Sequence, residues 1–350
     1  MAYEFAVDLD ALYDERRPQF INQGLPAGDL DRAMARVDRM WSDGPGCWTY
    51  EFSSLAAEYA DAGEHYRAAL AYGVARFPVL ADDAKRTAMA LQVEQYTKAA
   101  TTFGIHFERR ILELPYRGGS TEVPVHLLSA TPDFAQRPVV LVSGGIDSWK
   151  MDLHAIETAF VRSANVTVLA FDHPGTGETP APLDAYADTV IDGLVDAARA
   201  LGNGRVAHFG LSYGGNFAAA SGLRGIVDAA IDLGGPIVES FTPENFTHLM
   251  FGMADIAGNA FGFTTQPTID EILTAAQPFI RADLIAQDVN CPMLIVNGAD
   301  DVHIVQQDSL LFAGRRDTEV HLIPDTGHVA ASKLPEVIPL MVNWLRDQLV

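Results

Sequence analysis

Residues 210–214 read GLSYG, which matches the G-x-S-x-G pattern that presents a nucleophilic serine at a tight turn. The pattern follows an apolar run at 205–209 and precedes an alanine-rich segment, so we expect a strand, the turn and a helix in that order. Glycines two positions before and after Ser212 remove side chains that would clash in such a turn. Ser212 is therefore the candidate nucleophile. The competing interpretation is that its hydroxyl only caps the following helix.

A serine hydroxyl is a weak nucleophile at neutral pH, so it needs a neighbouring base that a carboxylate holds in place. After this kind of turn the partners follow in the chain order serine, acid, histidine. Asp301 comes just after the apolar run at 293–296, and His328 follows a glycine after the last apolar run. We expect Ser212, Asp301 and His328 to form a catalytic triad. The alternatives are Asp300 as the acid and His173 or His303 as the base.

Acyl transfer also needs backbone N–H donors aimed at the developing oxyanion. One donor is expected from Tyr213, the residue after the nucleophile. The other is expected from the loop after the run at 138–142, where residues 143–148 read SGGIDS. Paired glycines let this loop turn its N–H groups inward, which favours Gly145, with Ile146 as the alternative. The competing interpretation is a plain Gly-Gly turn.

Short apolar runs alternate with segments of helical spacing after residue 107. Continuous apolar runs suit strands that are buried on both faces of a parallel sheet, and the alternation predicts an α/β domain. An earlier pair of strands surrounds a turn at Gly118 and Gly119. The expected strands are 109–114, 122–128, 138–142, 166–171, 205–209, 229–233, 293–296 and 319–323. The expected helices are 149–162, 183–201, 213–223, 306–312 and 333–349.

The N-terminal part of the chain has helical periodicity only, over 30–40, 54–77 and 82–103. A chain of 350 residues is long for one hydrophobic core. We therefore expect a helical N-terminal domain over 1–106 and an α/β catalytic domain over 107–350. About 60 residues separate the runs that end at 233 and begin at 293, which is long for a connection, so about 235–288 is expected to be a helical insertion.

Composition and charge exclude several classes of partner. With 24 basic and 46 acidic residues the formal net charge is −22, so we expect no nucleic acid partner. No apolar run approaches the ~20 residues that cross a bilayer, and the first residues lack the layout of a secretory signal. We therefore expect a cytoplasmic protein without membrane contact that acts on a small-molecule substrate.

No cofactor or metal is expected either. Residues 171–179 read FDHPGTGET and contain G-x-G, but the third glycine of a dinucleotide fingerprint is absent and a proline occupies the turn. We interpret this stretch as a turn that borders the site. Cys47 and Cys291 lie far apart in the sequence and match neither a disulfide framework nor a zinc pattern.

Six motifs together resemble an esterase group of the α/β-hydrolase superfamily. The group is typified by the fermentation-respiration switch protein and is similar to dihydroxypseudooxynicotine hydrolase and to fungal polyketide-shortening hydrolases. The resemblance covers about residues 50–350. In chain order the motifs are SGGIDSWK, FDHPGTGET, GLSYGG, LGGP, NGADD and DTGH.

This resemblance implies an α/β-hydrolase fold, with a mostly parallel central sheet flanked by helices and the N-terminal helices as a lid. It implies that no cofactor is used and that homodimers are common. Members cleave esters or carbon–carbon bonds beside a ketone. Some carbon–carbon hydrolases of the group use a further carboxylate, for which Glu239 or Glu244 is available here.

The expected function is hydrolysis of an ester or of a ketone-adjacent carbon–carbon bond in a bulky polyketide-like or aromatic molecule of secondary metabolism. Aromatic residues in the helical domain, such as Trp48, Tyr50 and Phe52, suit such a substrate, although residues of this kind more often form a core. Two alternatives stay open. One is lyase-type elimination of an acyl group such as acetate at the same site, and the other is a non-catalytic binding protein on a hydrolase scaffold.

Overall fold

The computed structural model describes residues 2–349, which fold as two compact units. The helical unit contains residues 2–104 and 251–267, and the α/β unit contains residues 105–250 and 268–349. The segment 251–267, which lies within the expected insertion, thus belongs to the helical unit.

The helical unit is built from six α-helices within the described residues. Its core combines aliphatic and large aromatic side chains, and Trp48 and Phe52 are both fully buried there, with ring centroids 4.7 Å apart. The helices are α1 (Leu9–Gln23), α2 (Ala27–Met34), α3 (Trp48–Asp61), α4 (His65–Arg76), α5 (Asp83–Ala99) and, from the later segment, Met253–Ala260.

Two of the expected N-terminal helical stretches are cut short or divided in the structure. The stretch expected over 30–40 ends at Met34, because the N–H groups of Asp38 and Arg39 donate to the Gly46 carbonyl and close a loop instead. The stretch expected over 54–77 is interrupted at Gly63, whose φ of 76° is in the left-handed region. Such a residue ends a helix readily, so α3 and α4 form a helical hairpin there.

The α/β unit contains one eight-stranded sheet in the order β1-β2-β4-β3-β5-β6-β7-β8. Strands β3 to β8 are parallel, and the β1–β2 hairpin is attached through an antiparallel pairing of β2 with β4. This is the α/β-hydrolase fold. The strands are β1 (His106–Tyr116), β2 (Gly119–Ser129), β3 (Val139–Ser143), β4 (Thr167–Phe171), β5 (Val206–Leu211), β6 (Ala229–Leu233), β7 (Met293–Gly298) and β8 (Thr318–Ile323).

Helices cover the sheet, and central strands such as β3, β4 and β6 are buried along their whole length, as expected from their apolar runs. The hairpin turn is centred on Arg117 and Gly118 rather than on two glycines, since Tyr116 pairs with Gly119. The helices of the α/β unit are α6 (His154–Ala164), α7 (Ala187–Leu201), α8 (Tyr213–Leu223), α9 (Pro243–His248), α11 (Ile269–Ala276), α12 (Ala282–Ile285), α13 (Gln306–Leu310) and α14 (Leu334–Leu349), while α10 is the Met253–Ala260 helix named above.

Strand register brings the predicted site loops to one edge of the sheet. Ser143 pairs with Gly210, Leu211 pairs with Leu233, and Gly298 lies beside Ile323 on the last strand. The carboxyl ends of these strands are therefore level. Loops that follow parallel strands at one edge form the usual place for a site in an open α/β sheet.

Candidate active site

Ser212 occupies the sharp turn between β5 and α8. Its φ of 54° lies in the left-handed region, which residues other than glycine seldom adopt and which is frequent at functional turns. Its N–H donates to the Leu233 carbonyl on β6 at 2.8 Å, and its carbonyl accepts from Gly215 at 2.7 Å. The turn is thus fixed to the neighbouring strand, at the edge where the site loops meet.

The glycines of this turn are required by close backbone contacts. A Cβ atom at Gly210 would lie 1.9 Å from the Gly214 carbonyl oxygen, and one at Gly214 would lie 2.5 Å from the Gly144 oxygen. A Cβ atom at Gly215 would lie 2.1 Å from the Asp232 carboxylate. The spacing of glycines in the sequence therefore follows from the packing of the turn.

The His328 ring joins Ser212 to Asp301. Its Nε2 lies 2.9 Å from Ser212 Oγ, and its Nδ1 lies 2.7 Å from Asp301 Oδ2. An imidazole that donates its Nδ1–H to the carboxylate directs the Nε2 lone pair at the hydroxyl. We call this arrangement the Ser212–His328–Asp301 chain.

The carboxylate of Asp301 is fully buried and surrounded by donors. Its Oδ1 accepts from the N–H groups of His303 at 2.8 Å and Ile304 at 3.1 Å, and its Oδ2 accepts from Asn297 Nδ2 at 2.8 Å. Burial alone raises the pKa of Asp301, but the charge of His328 and these hydrogen bonds outweigh it and lower the pKa to about 2. The group is therefore ionised at neutral pH and suited to stabilise an imidazolium.

The loops that carry Asp301 and His328 touch through their main chains. The Asp300 N–H donates to the Thr326 carbonyl at 3.0 Å. A Cβ atom at Gly298 would lie 1.9 Å from the Gly327 oxygen, so only glycine permits this approach. Since β7 and β8 are neighbours in the sheet, their following loops meet directly.

The alternative residues lie elsewhere in the site. The Asp300 side chain is exposed, and the His303 ring lies edge-on to the His328 ring at 5.5 Å. His173 is buried against Tyr213, and this burial lowers its pKa to about 4. The structure thus brings His328 and Asp301, rather than these residues, to the Ser212 hydroxyl.

Glu239 and Glu244 follow β6 and are both exposed. The loop that carries Glu239 is fixed by Asp308, whose Oδ1 accepts from the N–H groups of Val238 and Glu239 at 2.7 Å each. No side-chain bond of either glutamate to the Ser212–His328–Asp301 chain is present in residues 2–349.

The predicted oxyanion donors adjoin the serine. A Cβ atom at Gly145 would lie 2.8 Å from Ser212 Cβ and 3.1 Å from Ser212 Oγ, so the Gly145 main chain packs directly on the nucleophile candidate. Tyr213 is the first residue of α8, where amide groups have no acceptor within the helix. Ile146 follows Gly145 and is buried. This arrangement can stabilise negative charge on an oxygen bound beside Ser212.

A buried ionic network, which the sequence does not predict, supports the Gly145 loop. The Lys150 side chain, fully buried, places Nζ 2.5 Å from Asp172 Oδ2 and 2.9 Å from Glu178 Oε2. The Lys150 N–H donates to Asp172 Oδ1 at 2.9 Å, and Arg109 forms two bonds with Glu178. The FDHPGTGET stretch therefore anchors the loop after β3. No local pattern marks Lys150, Asp172 and Glu178 as partners, because other polar residues lie close to each of them in the sequence.

Together these groups can activate a serine hydroxyl and stabilise a tetrahedral intermediate. Within the part of the chain that the structure describes, no group of three or more His, Cys, Asp and Glu side chains is placed to hold a metal ion. Among the helices of residues 2–349, none has both the length and the apolar character to cross a membrane.

Comparison with protein families gives a match over most of the chain. The family model described as "FrsA-like: Esterase FrsA-like" matches residues 39–349. A similar curated protein is Esterase FrsA of Photobacterium profundum, 24% identical over 371 residues, which cover 95% of this chain and 87% of that protein.

Solved structures agree on the fold. "AbyA5 Wildtype" superposes with a TM-score of 0.81 at 22% identity and covers 97% of this chain and 99% of its own. The 2,6-dihydroxy-pseudo-oxynicotine hydrolase superposes with a TM-score of 0.78 at 22% identity and covers 95% of each chain. At these identities the likeness concerns the fold.

Proposed function

The chain belongs to the FrsA-like esterase family, and on that premise we propose that it hydrolyses carboxylic esters of small molecules with Ser212 as the nucleophile. The observation that carries the proposal is the continuous Ser212–His328–Asp301 chain, with contacts of 2.9 and 2.7 Å. Ester cleavage needs only these groups and the oxyanion donors, because an alkoxide leaves readily once it is protonated.

In the proposed reaction His328 Nε2 takes the proton of Ser212 Oγ while the oxygen attacks the carbonyl carbon. The negative charge that forms on the carbonyl oxygen is stabilised by the N–H groups of Tyr213 and of Gly145 or Ile146. His328 then gives its proton to the leaving alcohol. A water molecule, activated by the same ring, hydrolyses the acyl-enzyme and regenerates the serine.

The proposal is tested with a fluorophosphonate probe and short p-nitrophenyl esters. Wild type should be labelled and should turn over the esters, and Ser212→Ala should do neither. The matched control is Ser221→Ala on the same helix, whose buried hydroxyl bonds to the His208 ring instead and whose loss should leave labelling intact. Labelling of Ser212→Ala, or none of wild type, contradicts the proposal.

Labelling combined with other substrates distinguishes ester hydrolysis from carbon–carbon hydrolysis, elimination and simple binding. Turnover of a β-diketone in preference to esters supports carbon–carbon hydrolysis, and release of an acyl group without labelling supports elimination. Ligand binding without labelling supports a non-catalytic protein. The exposed positions of Glu239 and Glu244 give no support for a second carboxylate in carbon–carbon cleavage.

Four further properties are proposed from the family resemblance and from the sequence. They are a lid role for the helical unit, a homodimer, a cytoplasmic location and a bulky aromatic or polyketide-like substrate. Trp48 and Phe52 are buried in the core of the helical unit, which leaves them no surface for substrate contact, whereas Tyr50 is exposed.

A further inference from the structure

Asn297 lies at the carboxyl end of β7, one residue before the glycine that contacts the His328 loop. Its side chain is fully buried. In the sequence it is only the first letter of the NGADD stretch, and no role follows from the pattern. In the structure it contacts both loops of the acid–base pair.

The amide Nδ2 of Asn297 donates to Asp301 Oδ2 at 2.8 Å. The same oxygen accepts from His328 Nδ1 at 2.7 Å. A carboxylate oxygen can accept two donors, and each donor stabilises the charge. Asn297 therefore shares with His328 the oxygen that orients the base.

The amide Oδ1 of Asn297 holds the residue that follows His328. It accepts from the Val329 N–H at 3.1 Å and from the Gly298 N–H at 2.8 Å. Val329 has a φ of 52°, which is strongly disfavoured for a β-branched side chain and persists only when its surroundings fix it. One amide thus bridges the Asp301 loop and the unusual backbone beside His328.

We propose that Asn297 is a positioning residue that sets both the geometry and the proton affinity of the Asp301–His328 pair. This inference rests on the proposed function, because it assumes that His328 acts as the base. Removing the Nδ2 donor leaves the carboxylate charge less compensated. The carboxylate then holds the imidazolium more strongly, and the acid limb of the pH–activity profile moves to higher pH.

Other ionisable groups also face this pair. The His303 ring lies against His328 on the Asp301 loop, and Asp308 on α13 lies near Asp232 on β6. Burial raises the pKa of Asp232 to about 7, and His328 lies close enough to lower it. All of these groups are unchanged in the variants proposed below, so their titration is common to every profile that is compared.

The test compares two substitutions with a matched control. Asn297→Leu removes both the donor and the acceptor, and Asn297→Ser is smaller and keeps a hydroxyl. The control is Asn290→Leu, just before β7, where the Asn290 side chain donates to the carbonyls of Cys291 and Arg316.

The expected result is a rise of about one pH unit in the acid limb of kcat/KM for Asn297→Leu, since one charge-assisted hydrogen bond is worth about one pKa unit. Asn297→Leu should also lose about tenfold to a hundredfold in kcat. The low-field proton resonance of the His328–Asp301 bond should move in this variant. Asn290→Leu should move neither, although it lowers thermal stability.

An acid limb and a low-field resonance that coincide with those of wild type in a folded Asn297→Leu variant overturn the inference. If Asn297→Leu does not fold, the same comparison is made with Asn297→Ser. A purely structural role predicts equal loss of activity at every pH. Failure of the proposed function is recognised separately, because wild type would then lack fluorophosphonate labelling.

Discussion

Replacing Lys150 by Met should strongly destabilise the α/β unit, because the ammonium is fully buried between two acids. Its Nζ lies 2.5 Å from Asp172 and 2.9 Å from Glu178, and the Asp172 side chain is likewise fully buried. Removing one partner of a buried ion pair leaves the other charge uncompensated, which costs about 3–5 kcal/mol. Glu178 retains Arg109, so the cost arises mainly at Asp172.

The pH dependence follows from the pKa of Asp172. Burial raises this pKa, but Lys150 and the hydrogen bonds outweigh burial, and the net pKa is lowered. The ionised pair therefore stabilises wild type above the ordinary pKa of an aspartate and is lost as the pH falls through the lowered value. Without Lys150 burial prevails, the pKa of Asp172 rises, and the group takes up a proton on mild acidification. The stability difference should thus be largest at pH 7 and shrink toward pH 4.

The assay is urea unfolding at several pH values, followed by circular dichroism. Adding Asp172→Asn to Lys150→Met should restore at least half of the lost stability, since no unpaired charge is then buried at that site. Lys98→Met is the control, because Lys98 pairs with Glu94 on an exposed helix surface. The reasoning is refuted if the double variant is no more stable than Lys150→Met. It is also refuted if Lys150→Met loses no more stability than Lys98→Met does.

Three further outcomes are expected. Gly215→Ala should prevent correct folding or lower Tm markedly, because its Cβ would lie 2.1 Å from Asp232. Gly28→Ala in helix α2, where the added Cβ meets no neighbouring atom, should instead stabilise the protein by about 0.5–1 kcal/mol in thermal unfolding. His328→Ala should reduce kcat for a p-nitrophenyl ester about as much as Ser212→Ala does, since such groups act as a unit, and unequal losses contradict the assignment. Asp301→Asn should reduce kcat by about 10⁴-fold at neutral pH with little change in KM, and a loss confined to KM argues against its role.

The fold and the candidate site were largely predictable from the sequence because local and long-range signals coincide. The runs at 229–233 and 293–296 are strands with nearly the same bounds, since buried parallel strands need continuous apolar residues. The positions of Ser212, Asp301 and His328 follow strands β5, β7 and β8. Their proximity then follows from the level carboxyl ends of a parallel sheet.

Other features depend on tertiary contacts that no local pattern carries. Helix α1 was not predicted as a separate element, because its apolar residues form no clear stripe and Pro18 lies inside it. Lys150 and Asp172 become partners only because β3 and β4 are adjacent in the sheet. Asn297 joins the Asp301 loop to Val329, which lies 32 residues further along the chain. Its role is visible only once the two loops are in contact.

The most direct test of the central claim is to locate the acyl group on the enzyme. After brief reaction with an activated ester and acid quench, tryptic digestion releases residues 206–224, which contain both Ser212 and Ser221. Fragment-ion mass spectrometry assigns the acyl group to one of them. We predict that Ser212 is acylated in wild type. In His328→Gln the acyl-enzyme should form at a greatly reduced rate. An acyl group on another residue, or an unmodified protein that still turns over the ester, contradicts the account.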